Sequence, residues 1–180
     1  MVGQQAGVVL ISRNDNTVVC RPMRYEAAHL LVDGYSIIYA WPPLRTALRR
    51  NLERSRDLLT AALAPIQDST GIRVTVVFDS RHGSRVAAGE SPANLDVIFT
   101  RKGMTADACI ERLVAGATAP EKFLVATNDH AESTMVRSLG GQVITAEELQ
   151  DWLESETGDL RRTVTRLMEN SRERFLRPDR

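Results

Sequence analysis

Three times along this chain an apolar, β-prone run stops on an aspartate: HLLVD at Asp33, IRVTVVFD at Asp79 and KFLVATND at Asp129. Two more runs of the same character, LDVIFT over 95–100 and QVIT over 142–145, lack the terminal acid. Between the runs the apolar period changes to a helical one. From about Leu44 to Asp68 the residues Leu48, Leu52, Leu58, Leu59, Leu63 and Ile66 recur near helical spacing, and Gly71 is the terminating glycine. TADACIERLVAGA (105–117) is a second helix with Thr105 as its N-cap, and HAESTMVRSLG a third, closed by Gly140. Strands that alternate with helices predict parallel βαβ units with right-handed crossovers. The fold class is therefore α/β, a parallel sheet of about five strands sandwiched between helices.

The chain ends read differently. VVLIS (8–12), the polar RNDN and TVVCR (17–21) form a hairpin pattern that Pro22 stops. After the fifth strand, AEELQDWLESE and DLRRTVTRLMENSRERF read as two helices broken near Gly158. This divides the chain into an N-terminal extension over 1–28, a main domain over 29–155 and a basic C-terminal helix over 156–180. With 180 residues, 43% of them hydrophobic, the main domain can bury a core without staples. Cys20 and Cys109 are far apart and outside any metal-ligand spacing, so neither a disulfide framework nor a zinc site is indicated, and a reducing, cytosol-like compartment is the default. Composition leaves a short organelle transit segment open. No apolar run approaches the ~20 residues of a membrane span.

Formal net charge is zero, so no global positive field advertises a nucleic-acid partner. Residues 161–180 nevertheless carry seven arginines against Glu169, Glu173 and Asp179. That end reads either as a solvated helix with i,i+4 ion pairs or as a surface for phosphates.

In an open parallel sheet every strand delivers its C-terminal end to one edge, and ligands bind in the crevice there. Asp33, Asp79 and Asp129 converge on that edge. Asp107 and Glu111, spaced i,i+4, share one face of the helix that starts there after the third strand. Carboxylates gathered so closely repel one another unless a cation fills the cluster. Oxygen ligands without a histidine and cysteine set suit Mg²⁺ or Mn²⁺, and the chemistry they support best is phosphodiester hydrolysis. The rival reading of each strand-end aspartate is the N-cap of the next helix. Thr127, Asn128 and Asp129 also read as a capping segment, and Glu111 as the partner of a surface arginine. His82 and His130 belong to no metal-ligand spacing. A phosphatase would need a DxD pair, whereas Gly34 and Tyr35 follow Asp33, and no GxGxxG follows the first strand to suggest a dinucleotide site.

The strings LLVDGYSIIYAWPPL, VTVVFDS, VIFTRKGMTADACIERL and LVATNDHAE, in this order and spacing, resemble the YacP-like branch of NYN-domain proteins, which are PIN-like ribonucleases. The resemblance covers roughly residues 29–155. It implies a Rossmann-like PIN fold and metal-dependent endoribonuclease activity on single-stranded RNA, with a connection to mRNA turnover at the ribosome. It puts metal ligation on Asp33, Asp79, Asp107 and Asp129, with Glu111 as a supporting acid. Arg81 and Arg85 in the 80–94 loop, Arg101, Lys102 and Asn128 are the candidates to hold substrate. Tyr35 and Trp41 read either as base-stacking or as core residues. One position departs from the family, whose first motif usually reads DGYN: Ser36 replaces the asparagine, and a hydroxyl is a shorter, weaker group for orienting a water or phosphate. Two functions stay open, an active nuclease and a catalytically weakened RNA- or ribosome-binding domain.

Overall fold

The structure, a computed structural model, describes residues 25–80 and 95–158. The expected hairpin, the 80–94 loop beyond Ser80 with Arg81, His82 and Arg85, and the basic end beyond Gly158 lie outside the described residues. A break near Gly158 therefore falls at their limit.

Five strands, β1 (His29–Asp33), β2 (Arg73–Phe78), β3 (Asp96–Phe99), β4 (Phe123–Ala126) and β5 (Gln142–Ile144), form one parallel sheet in the order β3-β2-β1-β4-β5. Each expected strand is present, β1 with the bounds expected and the other four trimmed by a residue or more. β1 is central, paired with β2 through Val32 opposite Val76 and with β4 through Val32 opposite Ala126. Strands buried on both faces need continuous apolar runs, which is why β1 and β2 read as Leu-Leu-Val and Val-Thr-Val-Val-Phe rather than as alternating sequences.

Side-chain alternation sorts the strand residues between two helical layers. Leu30, Val32, Val74, Val76 and Phe78 face a core completed by α1 (Gly34–Ala40), α2 (Pro42–Leu48), α3 (Leu52–Thr70) and a last helix, α6, over 146–158. Leu31, Val77 and Val125 face the opposite layer, made by α4 (Ala106–Ala115) and α5 (His130–Ser138). The result is the expected three-layer α/β arrangement.

The long helical pattern over 44–68 is in fact two helices. Asn51 interrupts it in extended conformation, and its side-chain oxygen accepts from the Arg54 N–H at 2.9 Å as the N-cap of α3. Leu48 and Leu52, on either side of the break, both pack partly buried on the same core, so apolar spacing runs on across the joint. Gly71 ends α3 as expected, at φ 71° with its N–H on the Gln67 carbonyl. Thr105 caps α4 through the Ala108 N–H at 3.2 Å. The helix α1 fills residues that spacing left unassigned and starts directly at Asp33.

Candidate functional site

Strand order reverses between β1 and β4: from β1 the chain moves outward to β2 on one side, from β4 outward to β5 on the other. Their C-terminal ends frame the crevice where an open parallel sheet binds ligands. Asp33 is the last residue of β1. By strand parity it faces the same layer as Leu31, the one made by α4 and α5. Its Oδ1 accepts from the Tyr35 and Ser36 N–H groups at 3.1 and 3.2 Å, so the capping reading of this residue holds. The cap uses one oxygen; Oδ2 lies outside it.

Across the crevice, Asp33, Asp107 and Glu132 bring one carboxylate oxygen each to within 4.8 Å of one another. Asp33 and Glu132 are buried, and Asp107, in the first turn of α4, is exposed. Glu132 is 5% exposed, and neither of its carboxylate oxygens has a hydrogen-bond partner among the described residues. Burial pushes its carboxyl up to about 8; the Thr127 hydroxyl nearby eases this, while the charges of Asp33, Asp107 and Asp129 add to it. That hydroxyl lies 3.0 Å from the Asp129 N–H, whose proton it accepts, and 3.4 Å from Ser36 Oγ, so it is shared rather than committed to Glu132. Asp33 is pushed up to about 6, again chiefly by burial; its capping N–H groups oppose this, and Asp107 and Asp129 reinforce it.

A buried carboxylate with both oxygens unsatisfied costs free energy that a folded chain normally avoids. Packed against two further carboxylates, it calls for positive charge. An all-oxygen donor set of this kind fits a hard divalent ion, Mg²⁺ or Mn²⁺, and the residues that would hold it are Asp33, Asp107 and Glu132.

The model of the YacP-like NYN domain family matches residues 30–178. The chain belongs to that family. Uncharacterized protein YacP of Bacillus subtilis (strain 168) is 34% identical over 139 residues, which span 77% of this chain and 82% of the relative. The crystal structure of Rae1 (YacP) from Bacillus subtilis matches with a TM-score of 0.70 at 34% identity, covering 80% of this chain and 83% of that one. The structure of a point mutant of the same protein matches with a TM-score of 0.66 at 36% identity, covering 78% and 82%. YacP-like NYN domains are PIN-like and nuclease-like, and nucleases of this kind generally use divalent metals.

Within this NYN domain the expected site residues separate. Asp33 and Asp107 join the trio. Asp129 lies close enough to act on both buried carboxyls and, like Asp33, caps a helix with Oδ1 alone, which accepts from the Ala131 and Glu132 N–H groups at 2.7 and 3.1 Å. Asp79 follows Phe78 at the end of β2, beside Tyr35, whose phenol burial raises and Asp79 raises further. It is not one of the three acids whose oxygens lie within 4.8 Å of one another. Glu111 lies one turn beyond Asp107 on α4, lining a recess of about 180 Å³ with Asp107, Glu132 and apolar residues of α5. Arg101 and Lys102 are exposed on the turn between β3 and α4, at the same edge of the sheet.

Ser36 Oγ accepts from the Asn128 N–H at 2.8 Å, and Asn128 Oδ1 accepts from the Ala146 N–H at 2.8 Å. These two bonds tie α1, the end of β4 and the start of α6 together. Ser36→Ala removes an acceptor from the Asn128 N–H and is expected to lower stability by about 1 kcal/mol, read from denaturant midpoints. A change within error would show the bond to be dispensable. Tyr35 and Trp41 are 7% and 9% exposed, the core alternative: Trp41 Nε1 donates to the Ala146 carbonyl at 3.0 Å, and the Tyr35 hydroxyl accepts from the Arg56 guanidinium.

Sequence reasoning missed Glu132. The signal that could have found it is the spacing Asp129-x-x-Glu132, a capping-box pattern in which the glutamate returns to the cap N–H. Thr145-x-x-Glu148 has the same pattern at α6 and closes it, the Thr145 N–H donating to Glu148 Oε2 at 2.7 Å and the Glu148 N–H to Thr145 Oγ1 at 3.1 Å. At α5 the Asp129 N–H goes to Thr127 instead, which leaves Glu132 to face the crevice.

Proposed function

We propose that this NYN domain is a divalent-metal-dependent endoribonuclease that hydrolyses phosphodiester bonds of single-stranded RNA. The observation that carries the reading is Glu132, a buried carboxylate with two unpartnered oxygens set against Asp33 and Asp107. An ion held by these three would neutralise charge developing on a phosphodiester and acidify the attacking water.

The chain's own residues supply position and charge. The two N–H groups of the α1 cap fix Asp33, so its second oxygen is presented without a rotamer search. Asp107 keeps the trio open to solvent, and hence to a polymeric substrate. Glu132, held protonated by burial, gives up its proton when a cation takes its place. Arg101 and Lys102, together with Arg81 and Arg85, are the groups proposed to hold phosphates and so set the strand's position at the edge. mRNA in a cytosol-like compartment is the substrate that the family resemblance suggests, with the ribosome as a partner to test. Ser36 takes no part in this reading, because its hydroxyl is occupied in holding Asn128.

Asp33→Asn keeps the oxygen that caps α1, so it tests ligation with little cost to folding. Cleavage of a labelled single-stranded RNA in Mn²⁺ is expected to fall at least about 100-fold in Asp33→Asn and in Asp107→Asn. Equal cleavage by both variants and the wild type would sink the assignment.

A further inference from the structure

The joint between α2 and α3 concentrates charge that folding does not use. Residues 42–54 carry Arg45, Arg49, Arg50 and Arg54 against Glu53 alone, in a chain whose formal net charge is zero. All four arginines are exposed, and among the described residues none of their side chains makes an ion pair or a hydrogen bond. The arrangement opposes helix stability: Arg45 and Arg49 are like charges one turn apart, and Arg54 stands in the first turn of α3, the end of a helix that repels a cation.

The contacts of Arg56 fix where this joint lies. Its guanidinium is 5.5 Å from the centre of the Phe78 ring and 5.1 Å from that of Phe99, the last residues of β2 and β3. α3 therefore begins at the edge to which the strands deliver their C-terminal ends, on the helical layer opposite α4 and α5. At the same corner Tyr39 is 50% exposed and, with Met135, is one of two large hydrophobic side chains in that state among the described residues. Its ring lies 6.5 Å from that of Tyr35, whose hydroxyl accepts from Arg56, so α1 presents an open aromatic ring beside the start of α3.

Unpaired arginines hold phosphates, and an open aromatic ring holds an unstacked base. The two observations are independent, and together they describe a surface for single-stranded nucleic acid. A duplex would meet the charge but has no free base face for the ring.

We propose that the α2–α3 joint and Tyr39 form a second RNA contact, where a single strand leaving the acid trio crosses the sheet edge, lays phosphates on Arg45, Arg49, Arg50 and Arg54 and stacks a base on Tyr39. The proposal rests on the nuclease reading for the polymer that crosses the edge, and none of these groups touches the scissile phosphate.

The probe is a labelled oligouridylate long enough to span both contacts, bound by the full chain in Ca²⁺ and cut by it in Mn²⁺. With all four arginines changed to glutamine, the slope of log affinity against log salt is expected to fall by about 3, since each phosphate contact on a single strand contributes about 0.7. Tyr39→Ala is expected to weaken binding about tenfold with the slope unchanged, and Tyr39→Phe to bind as wild type does. The duplex with oligoadenylate should bind less tightly than the single strand. An unchanged slope in the arginine variant, wild-type affinity in Tyr39→Ala, equal binding of the duplex, or displacement of the probe by polyglutamate as readily as by unlabelled oligouridylate overturns this surface; the nuclease stands if the wild type still cuts. Binding that depends on these residues, with no cleavage of the probe in Mn²⁺, upholds the surface and overturns the nuclease. Neither binding nor cleavage overturns both.

Discussion

Glu132→Gln is expected to make the chelated protein more stable than the wild type at pH 8, by on the order of a few kcal/mol, while abolishing its stabilisation by Mg²⁺ or Mn²⁺. The sign follows from the direction of the shift. Burial raises the Glu132 carboxyl from 4.5 to about 8, so between those values the folded state keeps a proton that the unfolded state has lost. Wherever the native state binds more protons, stability falls as pH rises. Asp33, raised from 3.8 to about 6, acts in the same sense over a lower window. Chelated wild type should therefore lose stability steadily from about pH 4 to pH 8. The glutamine variant should lose it only up to about pH 6 and be flat above, because an amide carries no charge to bury. A divalent ion competes with these protons, so wild type in excess Mn²⁺ should hold its stability at pH 8, by about 2.7 kcal/mol at a hundredfold excess over the dissociation constant. Denaturant unfolding at pH 5, 6.5 and 8, in EDTA and in Mn²⁺, reads all of this. The idea fails if the two proteins show the same pH slope above pH 6, or if Mn²⁺ stabilises them equally.

What was legible in the sequence, and what was not, follows from which interactions are local. Strand runs and the acids at their ends are local, and parallel topology carries their ends to one edge, so Asp33 and Asp107 could be gathered before any coordinates. Asp79 and Asp129 arrive at the same edge, outside the three acids whose oxygens lie within 4.8 Å of one another. Arrival at an edge does not fix what a side chain does there: Asp79 raises the Tyr35 phenol, and Asp129 gives its Oδ1 to the first turn of α5. Glu132 was hidden for the opposite reason, since a first-turn glutamate three residues after a cap has a complete local explanation. Only the competing bond from the Asp129 N–H to Thr127 removes that explanation, and Thr127 enters through the end of β4 rather than through helix spacing. The joint at Asn51 was masked likewise, because two helices packing on one core keep one apolar rhythm.

The apolar side of the DGY turn predicts the second large effect. Gly34 begins α1 directly after Asp33, and a Cβ built on it would stand 2.2 Å from Phe78 Cε1 and 2.4 Å from Cδ1. The ring has nowhere to go. Phe99 stacks on it with centroids 5.6 Å apart, Tyr35 meets it edge-on at 5.4 Å, and the Arg56 guanidinium lies 5.5 Å from its centroid while also donating to the Tyr35 hydroxyl. Gly34→Ala must therefore move backbone rather than a flexible side chain, and the backbone nearest is that of Asp33. We expect it to cost about 3 kcal/mol, at the upper end for overpacking, and to weaken Mn²⁺ binding as Asp33 shifts away from Asp107 and Glu132. Phe78→Leu alone should also destabilise, by leaving a cavity under Arg56. Combined, the two changes relieve one another, because the alanine methyl enters space that the ring has vacated. A double-mutant cycle on unfolding free energies should give a favourable coupling of at least about 1 kcal/mol between these positions. Strictly additive costs would mean that the glycine is not there to admit the ring, and that the close approach of α1 to β2 does not hold Asp33 in the site.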